Sequence, residues 1–367
     1  MRLAVLPGDD IGPEITDAAL AVLEAVDRRF GLKLQFDMHE VGMRAHRACG
    51  TTLPEKVLKA VREADGVVLG PGGMTEYPPL EEGGINIPGT IRKQLQLYAN
   101  IRPARARAGI PSARSGLNCV IVRENTEGFY ADRNMFKGDG EFMPTPDVAM
   151  SVRLITASAS RRIAKRAFEV ASARKGHVSV VGKRHVLKMS DGLFVSEVEA
   201  VAQQFPNVAL REIDVDAMAA ELYSKPEAFD VILTTNMFGD ILSNLANALA
   251  GSLGLASALN VGDKHAAANA GHGSAPDIAG KGIANPAGLI LSTALLLSWY
   301  GSSTHNALFT SAGAAIEAAV DDVLGKADLR TRDLGGVATT ASFAASVSDA
   351  IRDDRVSSEQ KSSKLAS

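Results

Sequence analysis

The chain has 367 residues, a net charge of −3, 46% hydrophobic and 22% charged residues, enough for about two globular domains with large cores. That charge offers no electrostatic footing for nucleic acid or an anionic membrane. Its two cysteines, Cys49 and Cys119, have neither metal nor disulfide spacing, and the opening MRLAVLPGDD turns acidic too soon for a signal peptide, so a cytoplasmic protein is expected.

Residues 3–6 are a short apolar run broken by Pro7-Gly8, which predicts a buried strand. A helix follows, with Pro13 in its first turn and Ile15, Ala19, Val22, Val26 and Phe30 on one stripe. Residues 33–39 alternate weakly as a strand, 54–64 read as a helix, and 66–69 as a buried strand ending in Gly70-Pro71-Gly72-Gly73. Strands alternating with helices predict an α/β fold: a mostly parallel sheet with helices on both faces. Residues 83–89 read as loop and 90–99 as helix, which Ile101-Arg102-Pro103 breaks, and 117–122 read as a new strand. Residues 132–147 are too polar and too rich in Gly and Pro for a core segment and predict a projecting arm. Then come strand 148–155, basic amphipathic helix 157–173, strand 177–181, helix 190–203, strand 208–213 and helix 217–223. From Gly251 to Gly282 the chain is Gly/Ala-rich and reads as loop. Helices are expected at 285–300, 305–324 and 339–352. The first of these holds the longest apolar run (287–299), too short to span a bilayer, and the polar tail 353–367 is expected to be disordered.

The stretch VILTTNMFGDILSN (231–244) opens as a buried strand and enters a helix after Gly239. Asp240 and Asn244, four apart, share one helix face. The carboxyl end of a strand is where open α/β sheets collect ligands; an acid there that only complements the helix dipole is the competing reading. No G-x-G-x-x-G follows the first strand, since Gly8 and Gly12 are wrongly spaced, and there is no Walker motif, which disfavours a Rossmann domain.

Three groups of side chains could carry chemistry. Arg92, Arg102 and Arg123 sit at element boundaries, and three guanidinium forks converging would fit a di- or tricarboxylate; taken singly, each is more simply a surface salt bridge. Lys183 follows a buried strand, where its pKa can be lowered so that it serves as a base, and Tyr130 can donate a proton. The plainer readings are a solvated loop lysine and a half-buried aromatic. Asp216, Asp240 and the amide of Asn244 are hard oxygen donors of the kind Mg²⁺ or Mn²⁺ accepts, or else acids at helix starts.

PGDDIGPE, TIRKQLQLYANIRP, RENTEGFY, GKRHVL, NMFGDILSN and HGSAPDIAGKGIANP, in this order between about residues 3 and 300, resemble the isocitrate/isopropylmalate dehydrogenase family. The resemblance implies a metal-dependent oxidative decarboxylation of a 3-substituted malate. It also implies two α/β domains, non-Rossmann, with the chain crossing twice: 1–98 plus 252–352 for the cofactor, and 99–251 for substrate, metal and dimerisation. A homodimer is implied, clasped by the arm near 132–147, with Lys183 and Asp216 lent to the partner's site. By position, Arg92, Arg102 and Arg123 would hold carboxylates, Lys183 would take the hydroxyl proton, Tyr130 would protonate the enolate, and Asp216 and Asp240 would ligate the metal. His272, Gly273, Ser274, Ala275, Asp277, Ile278 and Asn285 would line the cofactor. Asp277 can accept from ribose hydroxyls and would repel a 2′-phosphate, so NAD is expected.

Departures from the family pattern are Asn244 where a third aspartate is usual, Asn269 for a glutamate, His185 for an asparagine, and Asp10 for a glycine. Asn244 predicts weaker Mg²⁺ affinity or a preference for Mn²⁺. The loop 84–89 matches neither the isocitrate nor the isopropylmalate type, while RENTEG and MSDGLF lean toward isocitrate, homoisocitrate and tartrate enzymes. The alternative expectation, from Asn244, Asn269 and His185, is a catalytically weak regulatory or structural subunit of a hetero-oligomeric complex.

Overall fold

A computed structural model describes residues 1–129 and 140–352. Its framework is one ten-stranded sheet in the order β2-β1-β3-β12-β11-β4-β5-β10-β8-β9. The strands are β1 (Arg2–Leu6), β2 (Gln35–Met38), β3 (Gly66–Leu69), β4 (Ala99–Arg105), β5 (Asn118–Glu124), β8 (His177–Gly182), β9 (Ala209–Asp214), β10 (Val231–Thr234), β11 (Ser257–Val261) and β12 (Ala266–Ala270). Strands β6 (Glu141–Thr145) and β7 (Val148–Ser151) form a separate exposed hairpin. The helices are α1 (Gly12–Phe30), α2 (Gly42–Cys49), α3 (Glu55–Glu63), α4 (Ile87–Gln94), α5 (Ala157–Ser172), α6 (Ser190–Ala202), α7 (Val215–Ser224), α8 (Asn236–Leu249), α9 (Ala287–Ser303), α10 (Ala307–Gly325) and α11 (Thr340–Arg352). No helix among the described residues is long and apolar enough to cross a membrane.

Parallel pairing runs through β2-β1-β3-β12 at one end and β5-β10-β8-β9 at the other. The two parallel blocks are joined by antiparallel β12-β11-β4-β5. The chain builds the first block, passes through β4 into the second, and returns by β11 and β12, so it crosses the middle of the sheet twice. Apolar residues fill both faces, as a sheet covered by helices requires. One cluster gathers Ala4, Leu6, Val67 and Leu69 with α3 and α4, another gathers Ile121, Ile232 and Leu242 with α7 and α8, and a third runs the length of the opposite face.

Four expectations need correction. Residues 90–99 are not one helix: α4 starts earlier, at Ile87, with Asn86 accepting from the N–H of Gly89 at 2.9 Å, and it ends at Gln94. The supposed helix-breaking Ile101-Arg102-Pro103 lies inside β4. There Pro103 is tolerated because pairing to β11 ends at Ile101, so its missing N–H breaks no bond on that side. The stretch 251–282 contains β11 and β12, which occupy the centre of the sheet. Ala266, Ala267 and Ala268 have little intrinsic strand preference. Their place in the sheet is decided by tertiary packing: Ala266 and Ala268 lie in the core on the side of α9, which is so closely applied that a Cβ at Gly288 would come within 2.6 Å of the Ala256 carbonyl just before β11. Strand 148–155 shortens to β7 plus a single bridge from Leu154 to Gly128. The hairpin β6–β7 falls at the predicted arm, while 132–139 and the tail 353–367 lie outside the described residues.

Candidate active site

Arg102 and Arg123 project from β4 and β5. Asn100 pairs with Arg123 across that ladder, so Arg102, two residues on, is its diagonal neighbour on the same sheet face. Helix α8 lies over this face and starts at Asn236, three residues before Gly239 rather than after it. Gly239 makes that approach possible: a Cβ there would meet the Cγ and Cβ of Arg123 at 2.6 and 2.7 Å.

Both guanidinium groups are nearly sealed from water, Arg102 at 5% and Arg123 at 3% exposure. Such buried cations persist only when hydrogen bonds hold them. Arg102 donates to Asn100 Oδ1 at 3.0 Å and Ser243 Oγ at 2.7 Å. Arg123 donates twice to Asn236 Oδ1, from Nε at 3.1 Å and Nη2 at 2.7 Å. Each also donates to the same oxygen of Asp240, Arg102 at 3.2 Å. The forks are therefore oriented before any ligand arrives.

Arg92, Arg102, Arg123, Asp240, His272 and Gly273 line one cavity of about 290 Å³, together with the Gly70-Pro71-Gly72 turn and Asn269. His272 donates through Nδ1–H to the Gly273 carbonyl, 2.9 Å away, while its Nε2 is buried with no hydrogen-bond partner among the described residues. Burial lowers its pKa below the ordinary imidazole value, so the ring is neutral at neutral pH. An orphaned ring nitrogen in a cavity wall fits a ligand that supplies the missing partner. Ala275 adopts a left-handed conformation, φ 46°, in the same loop. Strain of that kind gathers at ligand clamps. Ser274 accepts from Ile11 N–H at 3.2 Å, Asp277 and Ile278 follow in a short turn with Asp277 exposed, and Asn285 donates to Asp333 at 2.9 Å.

Lys183 and Asp216 stand apart from this cavity, with each other. Lys183 Nζ bonds Asp216 and lies 3.2 Å from Asp214, which also lies 3.1 Å from His185 Nδ1. The lowered pKa expected for Lys183 is not what this arrangement produces. Its ammonium is held above the ordinary lysine range, first by the hydrogen bond to Asp216. Asp216 is correspondingly held below the usual carboxylate range by Lys183. Asn244 is exposed, one turn beyond Asp240 on α8, and Tyr130 lies outside the described residues.

Sequence reasoning missed a buried amide network behind the arginines. Asn100 and Asn125 both donate to Asn260 Oδ1, at 2.9 and 3.0 Å, and Asn260 in turn donates to Asn269 at 2.5 Å. A chain of amides thus connects Arg102 to Asn269 in the cavity wall. The signal was available as lone asparagines inside the apolar strands of NIRP and LNVG. The structure also explains Asp10: with φ 52° it occupies a conformation that glycine takes without cost and aspartate tolerates better than most residues.

A family profile described as isocitrate/isopropylmalate dehydrogenase matches residues 2–351. The chain is 41% identical over 353 residues to an isocitrate/homoisocitrate dehydrogenase of Thermus thermophilus, covering 96% of this chain and 98% of the relative. It is 39% identical over 355 residues to a 3-isopropylmalate dehydrogenase of Methanothermobacter thermautotrophicus, covering 96% and 99%. The crystal structure of isocitrate dehydrogenase from Methylococcus capsulatus superposes with a TM-score of 0.85 at 37% identity, covering 96% of this chain and 99% of that one. The chain belongs to the isocitrate/isopropylmalate dehydrogenase family.

Proposed function

We propose that this protein catalyses the NAD-dependent oxidative decarboxylation of a 3-substituted malate, using Mg²⁺ or Mn²⁺. The observation that carries the reading is the pair of sealed, pre-oriented forks of Arg102 and Arg123 meeting Asp240 in a cavity shared with Arg92. A site built this way favours a hydroxy acid bearing two or three carboxylates, because three guanidinium forks in one cavity offer more positive charge than a monovalent or neutral substrate can answer. The relatives named for isocitrate, homoisocitrate and isopropylmalate define the range of substrates to test.

The donor set suits a hard divalent cation. Asp240 engages the arginines through one oxygen only in the hydrogen bonds given above, which leaves the second for a metal. Among the described residues no three acids, histidines or cysteines of one chain gather into a metal site. In this reading Asp216 from a second copy of the chain and substrate oxygens complete the site. Bound there, the cation supplies Lewis-acid polarisation of the hydroxyl and stabilisation of the enolate. NAD would lie against His272, Gly273, Ser274, Ala275 and Ile278, with Asp277 receiving the ribose hydroxyls and Asn285 beside it.

The chain's own residues account for the remaining steps. Arg92, Arg102 and Arg123 fix the carboxylates so that the reacting carbon faces the nicotinamide. Lys183, entering from the partner, takes the hydroxyl proton. This requires its Asp216 to turn from Lys183 to the cation, because the present hydrogen bond favours the charged ammonium. Tyr130 then returns a proton to the enolate carbon. The homodimer and the two domains, 1–98 with 252–352 and 99–251, are part of the same reading. Its support is that Lys183 and Asp216 sit together outside their own cavity.

The test is NADH formation by the purified protein with Mn²⁺ across isocitrate, homoisocitrate, isopropylmalate, tartrate and malate. Turnover of at least one, with NAD preferred to NADP, is expected. Silence on all of them with an intact fold would favour the alternative of a weakly catalytic subunit, to which Asn244, Asn269 and His185 point.

A further inference from the structure

A second cavity, larger than the first at about 380 Å³, lies on the other side of α4. It contains none of Arg102, Arg123, Asp240 or His272; Arg92 and Gly89 are its only residues in common with the main cavity. One wall is α4, from the half of the sheet that holds β1 to β3. The opposite wall is the loop after β5 and the first turn of α5, from the other half.

The charges on these walls are unequal. Arg92, Lys93 and Arg162 are cationic, and Glu127 is the only acid among the lining residues. Glu127 is already committed: its two oxygens accept from the backbone N–H of Thr156 at 2.9 Å and from its hydroxyl at 2.5 Å. Arg162 stacks over the ring of Tyr98, 4.2 Å from the centroid. Its Nε is buried and has no hydrogen-bond partner among the described residues. Lys93 is exposed and forms no ion pair among the described residues. The first turn of the sixteen-residue α5 adds the positive end of its dipole, with Ser158 beside it. A cavity with this surplus of cations, one of them with a buried donor unmet, is complementary to an anion.

We propose that this side cavity is a second anion site, for a compact polyvalent anion bearing phosphates or carboxylates, and that it opposes substrate binding through Arg92. The coupling is physical. Arg92 forms a wall of both cavities, and a guanidinium drawn toward one anion gives less to the other, while two anions beside one cation repel. By linkage, substrate weakens the second anion by the same factor as that anion weakens substrate. The site goes beyond the proposed dehydrogenase activity and does not depend on it, because its first readout is binding.

Calorimetric titration of the full-length protein with pyrophosphate tests the proposal; tricarballylate, a tricarboxylate that the main cavity also fits, is expected to show a second, Arg102-independent binding event if the side cavity accepts carboxylates too. Combined Lys93→Gln and Arg162→Gln is expected to weaken pyrophosphate binding about tenfold or more, the scale of a lost charge-assisted contact. Lys93→Gln alone, at an exposed position that leaves the fold intact, should weaken it about threefold, and Arg102→Gln should leave it within the same factor. Affinity unchanged in the double variant, affinity lost in Arg102→Gln, or no Arg102-independent binding of either anion at millimolar concentration would each overturn the assignment.

Discussion

The arginine cluster and the lysine cluster are built on opposite plans. Arg102 and Arg123 are buried at 5% and 3% exposure and held by Asn100, Asn236 and Ser243. Lys183 and Asp216 lie at the surface, with the Asp216 side chain 71% exposed, and each satisfies mainly the other. The first cluster is held by several neighbours at once; the second is held mainly by its own pairing, which the function proposed above needs to exchange. Preorganisation is affordable where neighbours over-determine a side chain, whereas a pair at the surface can trade partners at little cost.

The strongest way to sharpen this contrast is at the exposed pair. Lys183→Met should lower turnover by roughly 10²- to 10⁴-fold, the usual worth of a positioned acid–base group, with little change in thermal melting because an ion pair to the largely exposed Asp216 adds little stability. Steady-state rates beside a circular dichroism melt check both halves, and unaltered turnover would remove Lys183 from the reaction.

Stability should respond at a different place. Asp191 is fully buried and receives the backbone N–H of Lys183 at 2.7 Å and the guanidinium of Arg153 at 2.5 Å, while Arg153 also reaches Thr235 at 3.0 Å. Arg153→Met strands that carboxylate and should cost about 3–5 kcal/mol in urea unfolding. Arg153→Met with Asp191→Asn should recover part of the loss, which a simple packing defect would not.

Smaller effects bear on the buried cluster. Gly239→Ala places a methyl 2.6 Å from the Arg123 side chain, so overpacking of about 1–3 kcal/mol should appear chiefly as a higher KM, with the fold retained. Wild-type KM in that variant would mean that Arg123 does not hold substrate. On the exposed face of α8, Asn244→Asp should tighten Mn²⁺ binding by roughly tenfold, about 1.4 kcal/mol; an unaltered metal titration would show that this side chain points elsewhere.

The least effect expected is that of pH on His272. Its folded-state pKa is depressed by burial, so on acidification the unfolded chain takes up a proton first, near the ordinary imidazole value of about 6.5. Stability should therefore decline as pH falls below that value, because the unfolded state binds more protons there. The melting temperature of His272→Gln should fall less steeply between neutral and mildly acidic pH than that of the wild type. Parallel slopes would place the titration on another group.

The legible parts of the chain were those where a local pattern is also the global answer. The stripe Ile15, Ala19, Val22 and Val26 reads as one helix face and is buried as one. The runs at β1, β3 and β10 read as buried strands because parallel strands are covered on both sides. The arginines, Asp240 and the His272 loop were singled out by residue type and by a family pattern that the whole-chain match bears out.

Other features depend on neighbours far away in sequence. β11 (SALNV) and β12 (AAANA) are weak in strand-forming residues, and their place in the sheet follows from pairing with β4 and β3 and packing against α9 rather than from strand preference. Pro103 is permitted in β4 because the pairing of β4 with β11 stops two residues earlier, at Ile101. By itself the sequence determined the alternation of strands and helices and the apolar faces, since these follow from residue type and short-range spacing, and it offered the candidate site residues through residue type and the family pattern. Only tertiary structure decided that Arg102, Arg123 and Asp240 converge, that asparagines connect Arg102 to Asn269, and that Lys183 and Asp216 rest against each other outside the cavity. Those outcomes depend on contacts between strands and helices more than a hundred residues apart in some pairs, as from Arg102 to Asp240, and no local propensity encodes them.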